Sequence, residues 1–443
     1  MTHLPEPPES GASQTPATGA TPPESGPTGR NAPLEDVATS LEGSAGERRD
    51  VDRRWHGAMH EVLSSSALVT FLAIVAALVV SSVLIAFADA DVRSSAVYFF
   101  SRPGDMLGAA WDSVFGAYSS LFRGAVFDFD AKSVTRAIRP ITETMVASTP
   151  LIFAALGLGI GFRSGVFNIG AQGQVLMGVA FAAYVGFTWH LPIGVHLVLA
   201  VLVAAIVGGF WAGIAGFLKA RTGANEVIVT IMLNSIAFWL ISYLLTTTAF
   251  RHGGTRPISP AVAETAVFPL LLGSGFRLHL GFVLALAAAV AVWWLMERST
   301  IGFKFRAVGA NMDSARTAGI NVNLVFLFVL VAAGALAGLG GAAQILGTDK
   351  TLQATSAGSI GFDAITVALL GRSKPLGTVL AALLFGALRA GSPLMQAVSN
   401  TPIDIVLVIQ AVIVLLIAAP PLVRAIFRLP APGVSRRAKE AVA

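Results

Sequence analysis

Long apolar runs, separated by short polar segments, occupy most of the chain between residues 67 and 423. An α-helix rises 1.5 Å per residue, so about 20 apolar residues are enough to cross the roughly 30 Å hydrocarbon core of a bilayer. The runs predict membrane-spanning helices at 67–88, 140–162, 166–189, 195–218, 226–247, 280–296, 324–347, 353–371, 376–395 and 402–423. The pattern therefore predicts an all-α polytopic membrane protein with about ten transmembrane helices.

The most conspicuous polar interruption in the second half is 297–322, with the sequence ERSTIGFKFRAVGANMDSARTAGINV. Asn311 can cap a short helix, because its side chain can accept a hydrogen bond from a free N–H of the first turn. Asp313 would lie in that first turn and Arg316 near the helix end, where each complements the helix dipole. Gly319 falls where a left-handed residue ends such a helix. We therefore predict a compact, capped helix in this interruption.

Composition supports a membrane protein. Hydrophobic residues make up 54% of the 443 residues and charged residues only 12%, whereas a soluble domain carries about 25% charged residues. The formal net charge is +5, but the basic residues recur in short loops and do not gather on one face, so no nucleic-acid partner is predicted. The chain has no cysteine, which excludes disulfides and thiol catalysis.

The distribution of Lys and Arg orients the predicted spans, because cytoplasmic loops carry an excess of both. Four arginines precede the first span and the C-terminal tail is also basic, so both termini are predicted to be cytoplasmic. For both to lie inside, the region 358–395 must enter the membrane and return at the turn GRSKPLG. With this alternation the inner loops receive Arg163, Lys219, Arg221, Arg298, Lys304, Arg306 and Arg316.

These signals divide the chain into three regions. Residues 1–47 are rich in proline and poor in large apolar groups, so we predict a disordered cytoplasmic tail. Residues 48–428 form the transmembrane domain, with an outer loop at 89–139 and a cytoplasmic loop at 297–322, and residues 429–443 form a basic cytoplasmic tail. The outer loop carries aromatic residues spaced as one face of an amphipathic helix, namely Trp111, Phe115, Tyr118 and Phe122.

No catalytic motif is found in the sequence. It contains no G-x-x-x-x-G-K-[ST], H-E-x-x-H or G-x-S-x-G pattern, so we predict neither an enzyme nor an ATP site in this chain. His56 and His60 lack a third ligand, and no metal site is predicted. Polar residues inside the apolar runs could hydrogen bond between helices or line a solute path, and the sequence leaves both open. They are Glu143, Asn168, Gln172, Gln174, Asn234, Gln344, Asp363 and Gln396.

Four ordered stretches resemble the permease subunits of nucleoside and simple-sugar ABC importers, a group within the ribose-type and branched-chain amino acid permease superfamily. They are GFRSGVFNIGAQGQVLMGV (161–179), NEVIVTIMLNSIA (225–237), RAVGANMDSARTAGI (306–320) and GFDAITVALLGRSKPLG (361–377). The resemblance covers about residues 140–423, and the FNIGAQGQ segment is more similar to the nucleoside branch than to the ribose branch.

The resemblance implies a multi-pass subunit of the bacterial plasma membrane that works with other proteins. A second permease would pair with it, separate ATP-binding cassette ATPase subunits would bind ATP and Mg²⁺, and an extracytoplasmic lipoprotein would deliver the solute. The chain itself would need no cofactor. The alternatives are the same type of importer for a simple sugar or a branched-chain amino acid, or an ion-coupled secondary transporter that works alone.

Two sets of candidate residues follow. For a nucleoside path, amides would bind base and ribose and aromatic rings would offer a stacking surface; these candidates are Asn168, Gln172, Gln174, Asn234, Phe167 and Trp239. For coupling, we expect 310–319 to dock in a groove of the ATPase, with Arg306 and Arg316 making polar contacts at its rim. The coupling candidates are Arg306, Asn311, Met312, Asp313, Ala315, Arg316 and Gly319.

Overall fold

The computed structural model of the chain describes residues 66–251, 256–399, 402 and 404–428. The predicted tails at 1–47 and 429–443, and the arginines and histidines before the first span, lie outside the described residues. Within the described residues the regular structure is helical, with two isolated bridges in place of β-strands. The all-α prediction is confirmed for this part of the chain.

Fifteen α-helices follow one another in the described residues. They are α1 (Ser66–Ala88), α2 (Ala90–Ala96), α3 (Pro103–Ala125), α4 (Val134–Arg163), α5 (Ala171–Thr188), α6 (Val195–Thr222), α7 (Glu226–Leu244), α8 (Gly281–Arg298), α9 (Thr300–Ala310), α10 (Met312–Thr317), α11 (Val322–Gln344), α12 (Ile360–Leu370), α13 (Pro375–Ser399), α14 (Asp404–Ala418) and α15 (Pro420–Ile426). A π-helical turn, Ile345–Asp349, extends α11.

Seven of these helices are long and apolar enough to cross a membrane: α1, α4, α6, α7, α8, α13, and α11 together with its π-helical turn. A polytopic membrane protein is therefore confirmed. The helices α12 and α14 are apolar but shorter. The number of ten crossings and the cytoplasmic position of both termini stay predictions.

Two predicted spans are wrong in their extent. The span at 353–371 contains only α12, because Lys350 and Gly358 have left-handed backbone conformations and the chain becomes helical again only at Ile360. Eleven residues rise about 16 Å, roughly half of the hydrocarbon core. The span at 166–189 becomes helical only at Ala171, after a non-helical segment at 164–170.

The outer loop predicted at 89–139 is itself largely helical. It contains α2 and the 23-residue α3, which confirms the predicted helix in this region. The side chains of Trp111, Phe115 and Phe122 are exposed, whereas Tyr118 turns to α1 and donates a hydrogen bond of 2.7 Å to the carbonyl of Leu78. The helix thus rests on the bundle with an aromatic face uncovered.

The long helix α4 forms the centre of the bundle. Its most apolar stretch is 83% buried, and α8, α11, α12 and α13 pack around it. Small residues bring α11 close to α6, since Gly334 lies against the carbonyl of Gly208 and Gly338 against that of Ala204. A methyl group at either glycine would overlap the backbone of α6. Tight backbone packing therefore fixes α11 against α6.

The bundle has two distinct ends. At one of them, which we call the loop end, residues 256–280 meet the π-helical turn through backbone bonds such as Phe268 N to Leu346 O, 3.1 Å. The opposite end, which we call the short-helix end, is formed by α9 and α10 with the C-termini of α4 and α8.

Candidate functional site

The short-helix end carries the short helix that the sequence predicted, with the predicted caps. The Oδ1 atom of Asn311 accepts a hydrogen bond of 2.9 Å from the N–H of Ser314. After the helix, Gly319 adopts a left-handed backbone with φ of 78° and donates to the carbonyl of Arg316. Ile320 N–H donates to the carbonyl of Ala315 at 3.0 Å, which completes a Schellman motif. Both ends of α10 are therefore fixed by local hydrogen bonds.

A second helix, α9, precedes α10 and was not predicted as a separate element. Ser299 caps it by accepting a hydrogen bond of 2.9 Å from Gly302 N–H. At Gly302 the turn from α8 passes so close to the carbonyl of Leu295 that a Cβ atom would overlap it. The polar interruption thus forms two short capped helices, α9 and α10, and α9 packs closely against the end of α8.

An ion-pair network joins α9 to the central helix. Arg163, at the end of α4, donates a hydrogen bond of 2.7 Å to Glu297 Oε1, and Arg306 on α9 donates one of 3.0 Å to Glu297 Oε2. Lys374, in the turn between α12 and α13, also acts electrostatically on this carboxylate. We call Arg163, Glu297 and Arg306 the Glu297 network. Arg306 is thus engaged inside the chain, whereas the sequence assigned it a rim contact with an ATPase.

The surface of α10 is polar with one prominent apolar side chain. Met312 is 40% exposed, while Asp313 and Arg316 are exposed and pair with each other at 3.3 Å. Ala315 is 3% exposed and packs against its own chain. Of the predicted apolar contacts, Met312 is therefore the one on the surface.

The four path amides come together around the start of α5. Asn168, in the non-helical segment before α5, pairs with Gln174: each side chain donates to the other at 3.1 Å. Asn168 Oδ1 also accepts from Gly170 N–H at 2.9 Å, which fixes the turn into the helix. Both side chains are buried, at 1% exposure.

Gln172 and Asn234 tie α5 to its neighbours. Gln172 donates to the carbonyl of Gly358 at 2.7 Å and accepts from Gly361 N–H at 2.8 Å, so it bridges the start of α12. Asn234 on α7 accepts from Gly173 N–H at 2.8 Å and donates to the carbonyl of Ile169 at 2.9 Å. We call Asn168, Gln172, Gln174 and Asn234 the amide cluster. Its hydrogen bonds are made within the protein.

The two aromatic path candidates lie apart from these bonds. Phe167 is partly exposed and stacks on Phe162 with ring centroids 5.1 Å apart. Trp239 is exposed on α7 and packs edge to face against Phe238. The structure therefore brings the four amides together and leaves the two rings at the surface of the chain.

Sequence reasoning missed the Glu297 network. The signal was present in two places, because Glu297 ends one apolar run and Arg163 ends another, on the same predicted side. The pattern of a single sequence does not show which residues pair when they lie 134 positions apart. Only the packing of α4 against α8 brings the Arg163 guanidinium to 2.7 Å from Glu297 Oε1.

Comparison with known proteins agrees with this architecture. The family described as branched-chain amino acid transport system / permease component matches residues 141–418. No solved structure matches the chain.

Similar curated proteins are permeases of ABC transporters. The guanosine ABC transporter permease protein NupP of Bacillus subtilis is 38% identical over 69% of this chain and 86% of its own length. The glucose ABC transporter permease protein TsgB13 of Haloferax volcanii is 37% identical over 62% and 75%, respectively. The nucleoside ABC transporter permease protein NupB of Lactococcus lactis is 32% identical over 71% and 85%.

The family match covers α4 to α14, which includes the amide cluster, the Glu297 network and α10. The chain belongs to the branched-chain amino acid transport system permease family and is a permease of the nucleoside and simple-sugar ABC importer superfamily.

Proposed function

We propose that this chain forms the translocation path for a nucleoside or a related small polar solute in an importer driven by separate ATPase subunits. The observation that carries the choice of solute is the 38% identity to a guanosine permease along 86% of that protein's length. The importer would lie in a bacterial plasma membrane, with a second permease and an extracytoplasmic binding lipoprotein. ATP and Mg²⁺ would be bound by the ATPase.

Coupling to the ATPase is assigned to α10. A helix with both termini capped moves as one rigid body, so it can transmit the closure of an ATPase pair that a slack loop would absorb. Met312 is the apolar group that α10 offers to a groove, and the exposed Asp313–Arg316 pair provides polar contacts beside it. The residues Asn311 and Gly319 act indirectly, by holding the helix together.

The Glu297 network would transmit the displacement of α10 to the membrane-spanning helices. Arg306 lies on α9, directly before α10, and Glu297 connects it to Arg163 at the end of α4. Since α4 is the helix around which the bundle packs, movement of α9 would act on the centre of the permease. In this proposal Arg306 has a coupling role as a relay within the chain.

The coupling proposal is tested with Met312→Glu in the complete importer, reconstituted with its ATPase. We expect solute-stimulated ATP hydrolysis to fall at least tenfold, because a charge would enter an apolar groove. Asn323→Asp is the matched control, as it adds a negative charge at an exposed position of the same end. Normal stimulation in Met312→Glu would show that α10 does not dock there.

For the amide cluster, the bonds favour interhelical hydrogen bonding over direct contact with a solute. Each amide already has partners in α5, α7 or α12, so a solute would have to displace bonds between helices. We propose that these amides position the helices that line the path. Phe167 and Trp239 stay candidates for contacts at the surface of this chain, where a second permease would pack.

The solute is tested by uptake of radiolabelled guanosine into proteoliposomes that contain the complete importer. We expect unlabelled adenosine or guanosine to compete, and leucine not to compete. A simple sugar is the second candidate, because a glucose permease is 37% identical over 62% of this chain. Accumulation of glucose without accumulation of any nucleoside would replace the first candidate by the second.

A further inference from the structure

A polar chamber lies at the loop end, between α4, α13 and the π-helical turn after α11. Its volume is about 260 Å³, which is just below the roughly 300–1,000 Å³ of common small-molecule sites. The polar side chains that line it come from four separate parts of the chain: Glu143, Arg277, Gln344, Thr348 and Arg389. We call this cavity the chamber.

Arg389 is the unusual member of this set. It lies inside α13, a helix long and apolar enough to cross a membrane. In the described residues its guanidinium makes neither an ion pair nor a hydrogen bond, whereas Arg123, Arg163 and Arg306 each pair with a carboxylate. An ionisable group within a membrane helix is costly and marks a functional position by default. A half-buried guanidinium without a partner, facing a cavity, is suited to receive a ligand.

The charges around the chamber nearly cancel. Glu143 pairs with Arg277 at 3.3 Å and with Arg139 at 3.4 Å. Arg389 acts electrostatically on both Asp349 and Asp363, and Arg277 also acts on Asp349. A phosphorylated solute requires a surplus of positive charge, usually several arginines. Glu143, Arg277 and Arg389 line the chamber, and the nearby Arg139, Asp349 and Asp363 bring this set to three carboxylates and three guanidiniums. A balanced set of charges fits an uncharged, strongly hydrogen-bonding molecule.

The chamber borders the amide cluster. The Nη2 atom of Arg389 lies 2.9 Å from the point where a Cβ atom of Gly358 would stand. The carbonyl of the same Gly358 accepts the hydrogen bond from Gln172. A solute that displaced the Arg389 side chain would therefore act next to the contact that holds α12 against α5.

The local backbone is also irregular. The chamber residue Thr348 lies in the π-helical turn, and Lys350 ends that turn in a left-handed conformation with φ of 59°. Such turns within or after α-helices occur frequently at functional sites. The turn also allows Gln344 to donate a hydrogen bond of 3.0 Å to Asp349, so that both side chains face one another across it.

We propose that the chamber binds the transported solute through a pair of adjacent hydroxyl groups, such as those of a ribose or another sugar ring. Arg389 donates N–H hydrogen bonds to the hydroxyl oxygens, Glu143 accepts hydrogen bonds from the hydroxyl groups, and Thr348 can donate or accept. The volume accommodates a sugar-sized moiety, so a nucleoside places its ribose in the chamber. The inference rests on the proposed function and names the group of the solute that this chain recognises.

The first test compares Arg389→Gln with Arg123→Gln in the complete importer. Arg123 is the matched control, because it lies on α3 next to Gly124, which packs against Gly391 of α13, but its guanidinium is engaged by Asp128 and Asp130. At subsaturating guanosine we expect uptake by Arg389→Gln to fall at least tenfold and uptake by Arg123→Gln to stay within twofold of wild type. Arg389→Lys should recover part of the loss, because an ammonium also donates to hydroxyls. Equal uptake by Arg389→Gln and wild type, with equal amounts in the membrane, would overturn the inference.

The second test measures access and protection, and uses the absence of any cysteine in the chain. Ala147→Cys and Ala390→Cys place single thiols on the chamber wall, and Ser274→Cys places one at an exposed position of the loop end outside it. A membrane-impermeant methanethiosulfonate should label all three in the complete importer. Guanosine should slow labelling at positions 147 and 390 at least fivefold and leave 274 unchanged, and leucine should protect none of them.

The outcomes separate the inference from the function on which it rests. Unlabelled thiols at 147 and 390, or equal protection by leucine and guanosine, would overturn the chamber as a hydroxyl-binding site even if guanosine uptake is normal. Failure of the proposed function appears differently, as a wild-type importer that accumulates no nucleoside. In that case protection by glucose alone would keep the hydroxyl-binding chamber and change the solute.

Discussion

The amide cluster and the chamber both place polar side chains among apolar helices, but they differ in where the hydrogen bonds go. The bonds of Asn168, Gln172, Gln174 and Asn234 all end within the protein, at defined partners 2.7–3.1 Å away. In the chamber, by contrast, the guanidinium of Arg389 has no bonded partner among the described residues. Satisfied polar groups hold helices in position, whereas an unsatisfied one in a cavity is available to a ligand.

The difference also explains why the sequence alone could not separate them. An amide and an arginine in an apolar run are both polar interruptions, and the run does not show which helix lies opposite. Whether a polar side chain has a hydrogen-bond partner depends on how the helices pack. It can be judged only when α5, α7, α12 and α13 are placed together.

The largest effect is expected from breaking the amide cluster. Asn234→Leu leaves the buried Gly173 N–H and the partly buried carbonyl of Ile169 without their partners, at a cost of about 2–4 kcal/mol. The thermal unfolding temperature of the purified permease in detergent should fall clearly. Asn323→Leu, at an exposed position of α11, is the control and should change it little. An unchanged unfolding temperature in Asn234→Leu would remove the structural role assigned to the cluster.

The chamber should respond in the opposite way, with function lost and stability kept. Glu143→Gln retains the shape of the side chain but replaces the carboxylate that pairs with Arg277 and accepts hydrogen bonds from hydroxyl groups. We expect guanosine uptake at subsaturating concentration to fall about tenfold, or about 1.4 kcal/mol in binding. The unfolding temperature should stay near the wild-type value. A large loss of stability in Glu143→Gln, with normal uptake per folded molecule, would show that Glu143 has a structural role, as the amide cluster does, and no role in binding the solute.

The Glu297 network is an intermediate case, because its charges are paired but partly exposed. Exposed ion pairs contribute about 0–1 kcal/mol to stability, so Glu297→Gln should hardly lower the unfolding temperature. If the network relays movement from α9 to α4, the ratio of solute transported to ATP hydrolysed should still fall two- to fivefold. Arg123→Gln, which breaks an ion pair outside the relay, is expected to leave that ratio unchanged. An unchanged ratio in Glu297→Gln would confine the network to a packing role.

The smallest effect concerns a buried histidine at the loop end. His279 stacks on Phe268 and is 1% exposed, and burial together with Arg277 lowers its pKa from 6.5 to about 4. The unfolded chain therefore binds a proton more readily than the folded chain between about pH 4 and 6.5. Stability should decrease as the pH falls through that window, by about 0.7 kcal/mol from pH 7 to 6.

His279→Phe should remove this part of the pH dependence, which unfolding measurements at pH 7 and 6 can resolve. Leu272→Phe provides a control, since it introduces the same side chain at an exposed position of the loop end, removes no histidine and should leave the pH dependence as it is. An equal pH dependence in His279→Phe and wild type would show that this group does not titrate between the two states.

Local signals predicted much of the structure well. The cap at Asn311 and the left-handed Gly319 were visible in the sequence, because both depend on residues within four positions of each other. The seven long apolar helices were likewise predicted from run length. The close approach of α11 and α6 also has a local signal, because Gly334 and Gly338 are small residues four positions apart.

The features that the sequence could not predict depend on contacts between distant segments. The break at 350–359 shortens α12 because Gln172, far away in sequence, satisfies the backbone at Gly358 and Gly361. The sequence assigned Arg306 to a contact with the ATPase, whereas the packing of α8 places Glu297 beside it. Arg389 was not among the residues predicted from the sequence, although it is a lone arginine within the apolar run 376–395. The run does not show that this side chain faces a cavity formed with other segments.

The most direct test of the whole account is solute accumulation by purified components in proteoliposomes. The account predicts that guanosine accumulates only when this chain, its partner permease and the ATPase are present with ATP and Mg²⁺, and that Met312→Glu abolishes the accumulation. Accumulation of guanosine by this chain alone, driven by an ion gradient without ATP, would contradict it.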